Sequence, residues 1–284
     1  MTVDETATAT ERIERPAPPG SPTDIVRLRG GTGLTVRAQT PSILVLGSSG
    51  GAGTTTTSLG LAAAIATASP TSAEEYLSPV VVDASPCGGD IKERGCDVAD
   101  PAGTVQTWLT MQHRSLASKV IDACGETSAD TGILPRTADP LPLRESYGSV
   151  HRDLCEAGAL PVYDGGAPIA NPMVRPLLGD PRIAIVITLA ARADAVNRLR
   201  PALAWLDANY SQHHIADAVI VVTRQTLTDG PNIAAHAREY LGEFVRGVAE
   251  IPYDLHLAAG GRITWGKLSA NTQAAYRNVV NLLR

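Results

Sequence analysis

Aromatic side chains make up only 4% of this 284-residue chain, with a single Phe. A core drawn from such a composition is expected to be aliphatic, and recognition of single-stranded nucleic acid by base stacking is disfavoured. Cysteine is sparse as well. Cys87, Cys96, Cys124 and Cys155 form no CxxC pair and no Cys/His cluster of zinc spacing, which predicts free thiols in a reducing compartment. His213 and His214 have no third ligand at helical spacing and read as surface. No Lys/Arg run interrupts the formal net charge of -5, so bulk electrostatics carry no strong nucleic-acid signal. The longest apolar stretches, around Gly60–Ala68 and Ile183–Ala191, fall far short of the ~20 residues of a membrane-spanning helix. The opening MTVDETATATERIERP is polar and acidic, without the apolar centre of a signal peptide. These absences predict a cytoplasmic protein whose contact with a membrane or cell pole is peripheral or through a partner that recruits it.

What is present is an apolar fraction of 44%, enough for one large α/β domain. Residues 1–24, rich in Thr, Glu, Pro and Ser, predict a disordered tail. Residues 25–40 show Gly-punctuated alternation and suit a short hairpin or linker packed on the domain. From 41 to 284, short apolar runs alternate with helical segments. Strands are expected at Ile43–Gly47, Val80–Asp83, Gly132–Leu134, Leu160–Asp164, Ile183–Leu189, Ala218–Thr223 and Gly247–Ile251. The clearest helix is Asp194–Asn209, with Val196, Leu199, Leu203 and Leu206 on one face and Asp194 as its N-cap. The segment Ser269–Arg284 carries Ala275, Val279, Leu282 and Leu283 on one face and few cations, which suits packing on the sheet better than membrane anchorage. This order predicts an α/β fold: a doubly wound, mainly parallel sheet of about seven strands with helices on both faces. Ligands then bind beyond the carboxyl ends of the strands.

The first strand runs into Ser48-Ser49-Gly50-Gly51-Ala52-Gly53-Thr54-Thr55-Thr56-Thr57 and then into an Ala-rich helix. Strand, glycine turn and helix start are the setting of a phosphate-binding loop. Glycines let backbone N–H groups converge on an anion, and the helix dipole favours negative charge there. A hydroxyl of Thr55 or Thr56 is placed to reach a Mg²⁺ ion. Two further strands end in carboxylates, Asp83 in VVVDASPCGG and Asp164 in LPVYDGG.

The loop resembles the deviant P-loop of the ParA/MinD ATPases, which reads KGGxGK[ST][ST]. Aligned on Gly50, Gly51, Ala52 and Gly53, the family's signature lysine falls on Ser49 and its P-loop lysine on Thr54. Its Mg²⁺-binding hydroxyl falls on Thr55. The form GGxGTTT is similar to the TadZ/CpaE branch, and Ile251–Leu268 looks like the corresponding segment of actinobacterial MinD-like proteins. The resemblance implies ATP bound by Gly50, Gly51, Ala52, Gly53, Thr54, Thr55 and Thr56, with Mg²⁺ near Thr55, Asp83 and Asp164. Asp83 takes the place of the first aspartate of the family's DxDPxG and its catalytic role, and Ser85 replaces the second. Val221–Gln225 stands where many relatives carry a base-reading Asn. The function implied is a positioning or scaffold protein with weak or no ATP hydrolysis. It would act as a homodimer with the protein components of a pilus, secretion or conjugation apparatus. The alternative is an active ATPase in which Lys92 or Arg94 supplies the missing charge.

Overall fold

The computed structural model describes residues 40–68, 78–111, 119–142, 146–210, 212–227 and 232–284. The tail expected at 1–24 and the hairpin expected at 25–40 lie outside these residues, Thr40 excepted. The described residues form an eight-stranded sheet: β1 (Ser42–Gly47), β2 (Ser78–Asp83), β3 (Gly125–Glu126), β4 (Gly132–Leu134), β5 (Ala159–Asp164), β6 (Ile183–Ala190), β7 (Val219–Thr223) and β8 (Gly247–Ile251). Their order across the sheet is β3-β4-β2-β5-β1-β6-β7-β8. All pairings are parallel except β3 with β4. The seven expected strands are therefore present with ends shifted by up to two residues. The eighth, β3, is a two-residue edge strand with no apolar run to announce it.

Burial on both faces explains why the central strands are continuously apolar. In β1, Ile43 and Val45 pack on one side with the helix α1 (Thr54–Ala66) and the C-terminal helix Ala270–Leu283. Leu44 and Leu46 pack on the other with the helices Ser146–Glu156 and Ala193–Asn209. The sheet is thus doubly wound, as expected. The core is mostly aliphatic, but the few aromatics are used inside it: Trp108, Tyr147, Tyr163 and Tyr276 are fully buried. The Trp108 indole donates to Asp153 at 2.9 Å, so its polar atom is satisfied.

The helix expected to begin at Asp194 spans Ala193–Asn209, with Arg192 at the N-cap position and no side-chain cap. Asp194 cannot cap it because its carboxylate is held by the Arg192 guanidinium, at 2.9 and 3.1 Å. The last helix begins one residue after Ser269, whose hydroxyl accepts from the Thr272 amide as an N-cap. Its packed face holds Val279 and Leu283, as expected, and also Tyr276 and Val280. Among the described residues no helix is long and apolar enough to cross a membrane. Burial pushes the thiols of Cys96 and Cys124 up to about 11 and about 12 respectively, so neither is a ready nucleophile.

Candidate functional site

The site lies where β1, β2 and β5 end side by side. β1 delivers the glycine loop, and the parallel register pairs Val45 with Asp164 and Asp83 with Asp164. Two carboxylates thus meet on adjacent strand ends below the loop. The start of the loop is fastened: Gly47 N–H donates to Gly166 O at 2.7 Å, and Ser48 N–H to Thr188 O at 3.0 Å. Beyond it the backbone curls through Gly51 and Gly53, with φ of 73° and 84°, values that L side chains rarely adopt. Among the described residues, the N–H groups of Gly50, Gly51 and Gly53 have no protein acceptor. Three free amides at the mouth of α1, a 13-residue helix with no acidic residue in its first turn, make a cradle for an anion.

Gly53 is also a close approach. A Cβ there would lie 3.2 Å from the Thr223 side chain, whose hydroxyl donates to Ala52 O at 3.1 Å. The Gln225 amide donates to Gly51 O on the same side. The end of β7 therefore props the loop from behind. Gly53→Val combines a disfavoured φ with this contact, and it is expected to weaken anion or nucleotide binding at least tenfold in calorimetry.

Behind the loop, the Thr55 hydroxyl donates to Asp164 Oδ2 at 2.6 Å. Asp164 is almost wholly buried. Burial raises its carboxyl to about 6, against the lowering effect of the Thr55 hydrogen bond, with Asp83 adding a further rise. A hydroxyl and a carboxylate locked together beside free amides have the donor chemistry that a phosphate-bound Mg²⁺ requires.

Asp83 is engaged differently. Its Oδ1 accepts from Ser85 N–H at 3.0 Å and from Ser85 Oγ at 2.6 Å. Its Oδ2 accepts from Gly89 N–H at 2.7 Å. Ser85, which stands where the resemblance places a second aspartate, thus ties its own turn to Asp83. The turn is held from outside as well. Three successive carbonyls receive three side chains: Tyr147 Oη donates to Asp83 O at 2.8 Å, Asn171 Nδ2 to Ala84 O at 3.1 Å, and Arg136 Nη1 to Ser85 O at 2.7 Å. These three residues were not anticipated. The only local signal was a polar or charged residue, such as Arg136, at the end of an apolar strand.

The loop separates two cavities. One, of about 380 Å³, is lined by Gly51, Gly53, Thr54, Thr55 and Thr56 together with Thr223, Gln225, Leu257 and Tyr276. The other, an open groove of about 660 Å³, is lined by Ser48, Ser49 and Gly50 and by Asn197, Arg198 and Trp205 of the helix Ala193–Asn209. Ala52 is buried between them. Thr54 and Ser49 therefore face different spaces. Of the two cations in the helix Ile91–Gly95, Lys92 pairs with Asp100 at 3.4 Å on the surface. Arg94 lines the 380 Å³ cavity.

Parallel strands, a glycine loop opening α1, and a hydroxyl–carboxylate pair beneath it decide the architecture. The fold is that of the ParA/MinD P-loop ATPases. No family model and no curated protein matches the chain. Among solved structures it is similar to a ParA family ATPase from Chlorobium tepidum, at 13% identity and a TM-score of 0.65, covering 85% of this chain and 99% of that one. It is also similar to the ATP complex of Cyanothece McdA carrying D38A, at 15% identity and a TM-score of 0.57, covering 87% and 97%. A third is the septum site-determining protein MinD of Pyrococcus horikoshii with Mg-ADP, at 15% identity and a TM-score of 0.55, covering 85% and 95%. In this chain the residues on either side of the loop glycines, at positions 49 and 54, are Ser and Thr.

Proposed function

We propose that this chain is a nucleotide-binding positioning or scaffold protein of ParA/MinD type, with weak or no ATP hydrolysis. It would assist the assembly or localisation of a pilus, secretion or conjugation apparatus. The observation that carries the reading is a phosphate cradle with intact geometry and no lysine at either position 49 or 54. The residues fit Mg·ATP: the amides at Gly50, Gly51 and Gly53 and the hydroxyls of Thr54 and Thr56 would hold phosphate oxygens. Thr55 and Asp164 would hold Mg²⁺, which when bound neutralises phosphate charge. Asp83, with both oxygens hydrogen-bonded within its turn, would shape the wall beside the metal and has little freedom to orient a water. Phosphoryl transfer depends on positioning and charge stabilisation, so the missing cations and the engaged Asp83 weigh against turnover more than against binding. The groove beside Ser49 suits a second copy of the chain, and the homodimer would recruit its machine, at a membrane or pole, from the cytoplasm.

Binding and turnover of Mg·ATP, measured together on the purified protein, test this reading. Binding with turnover well below 1 s⁻¹, the low end of ordinary enzyme rates, is the expected result. Thr54→Lys is expected to tighten ATP binding by about tenfold through a charge-assisted contact, with turnover recovering less. Parent turnover of about 1 s⁻¹ or more favours the second reading, an active ATPase with a relocated cation. The placement of Arg94 on the cavity wall is the observation behind that second reading.

A further inference from the structure

Resting on the nucleotide-binding reading, we infer that Arg94 is the cation that holds the nucleotide, gripping its phosphate chain at the sugar end and not at the reacting end. Arg94 lies in the short helix Ile91–Gly95, with its backbone fixed by the Ile263 N–H, which donates to Arg94 O at 2.7 Å. Its side chain is 17% exposed and its Nε has no hydrogen-bond partner; Asp90 Oδ2, the acid it faces, is 4.0 Å away on an exposed residue. A buried guanidinium N–H without an acceptor is costly, and an anion in the cavity would satisfy it. Among the described residues, one other cation lines this cavity. It is Arg224, which is already paired with Glu250. Arg94 is thus the charge left for a ligand.

Its position decides which part of the ligand it reaches. The cavity it lines runs from Thr54 and Thr55 to Thr56, Tyr276 and Leu257, and neither Asp83 nor Asp164 is on its wall. The Arg94 charge acts on Tyr276, whose hydroxyl donates to Thr56 O at 3.3 Å, which puts the guanidinium at the Thr56 end of the cavity. A cation on the Thr56 side meets phosphate common to di- and triphosphates. It therefore secures binding without sensing the terminal phosphate.

Calorimetry with ATP, ADP and adenosine on the parent, Arg94→Met and Arg94→Lys tests the assignment. Arg94→Met keeps the apolar stem, and a thermal melt checks that each variant is folded. ATP and ADP are expected to weaken by a similar factor of about ten or more in Arg94→Met, adenosine to be unchanged, and Arg94→Lys to recover part of the loss. Should Arg94→Met fail to fold, the parent's ADP affinity must still fall with salt and Arg94→Lys must still bind ADP more tightly than Arg94→Gln. Unchanged ADP affinity overturns the inference. A loss confined to ATP also overturns it, since that would put the guanidinium at the terminal phosphate. Equal loss of adenosine assigns the residue to packing and overturns it too. A parent that binds none of the three removes the nucleotide reading itself along with this one.

Discussion

Gly60→Ala is expected to destabilise the protein by about 3 kcal/mol, the upper part of the range for overpacking a core. In an isolated helix the same change would stabilise by roughly 1 kcal/mol, so the sign alone is informative. Gly60 sits on the face of α1 that meets the C-terminal helix. A Cβ there would lie 2.4 Å from Cζ of Tyr276 and 2.6 Å from two further ring carbons. The ring cannot swing aside, because Tyr276 is fully buried and its hydroxyl donates to Thr56 O at 3.3 Å. The two helices must move apart instead. Since Thr56 and Tyr276 both line the cavity proposed for the nucleotide, that movement should weaken ligand binding too. Denaturant midpoints of Gly60→Ala, alone and with Tyr276→Leu, check the mechanism: the second change should recover part of the loss. A Gly60→Ala protein as stable as the parent would mean that α1 and the last helix do not pack in this way.

The turn after β2 bears on function through its rigidity. Arg136 is 8% exposed, and each of its three guanidinium nitrogens donates to a carbonyl, those of Thr137, Ser85 and Asp139. With Tyr147 and Asn171 it holds the carbonyls of residues 83, 84 and 85 from three separate elements. A backbone secured at three successive residues, with its own aspartate hydrogen-bonded inward, resists rearrangement on ligand binding. Such a turn is suited to presenting one constant surface, which agrees with a scaffold better than with a hydrolysis-driven switch.

Legibility in the sequence followed range. The glycine loop was readable because strand, turn and helix start are contiguous, and the central strands because burial on both faces leaves unbroken apolar runs. The clamp on the turn was not readable. Arg136, Tyr147 and Asn171 stand 51, 64 and 87 positions away from the carbonyls they hold, and no local pattern encodes such a meeting. Gly60 was visible as a glycine inside an Ala-rich helix, but the ring it accommodates comes from the far end of the chain. Asp194 misled because a cap and an ion pair draw on the same side chain, and Arg192, two residues earlier, captured it. Separating Arg94 from Lys92 needed the tertiary structure, since both lie in one five-residue helix and only one is turned toward the cavity.

The carboxylate beneath the loop carries the other large effect. In the ligand-free protein burial raises Asp164 to about 6 from the usual 3.8, with the Thr55 hydroxyl opposing the rise. Between about pH 4 and pH 6 the folded chain therefore keeps a proton that the unfolded chain has released. Stability is greatest below this window, falls as pH rises through it, and levels off above about 6. The difference corresponds to roughly 3 kcal/mol at neutral pH, a cost carried by the fold to keep a charged carboxylate beside the anion cradle. Asp164→Asn removes most of that cost while its amide oxygen can still accept from Thr55. It is expected to stabilise the ligand-free protein by about 2 kcal/mol at pH 7, raising Tm by about 5 °C, with little difference from the parent at pH 4. The same change should abolish the Mg²⁺-dependent part of nucleotide binding, because a neutral amide cannot replace the carboxylate as a metal partner. Thermal melts of both proteins at pH 4 and pH 7, with and without Mg·ATP, measure the two effects together. A variant that melts at or below the parent's temperature at pH 7 would show that the carboxylate is not strained by burial. One that is stabilised yet still gains Mg²⁺-dependent protection from ATP would place the metal elsewhere.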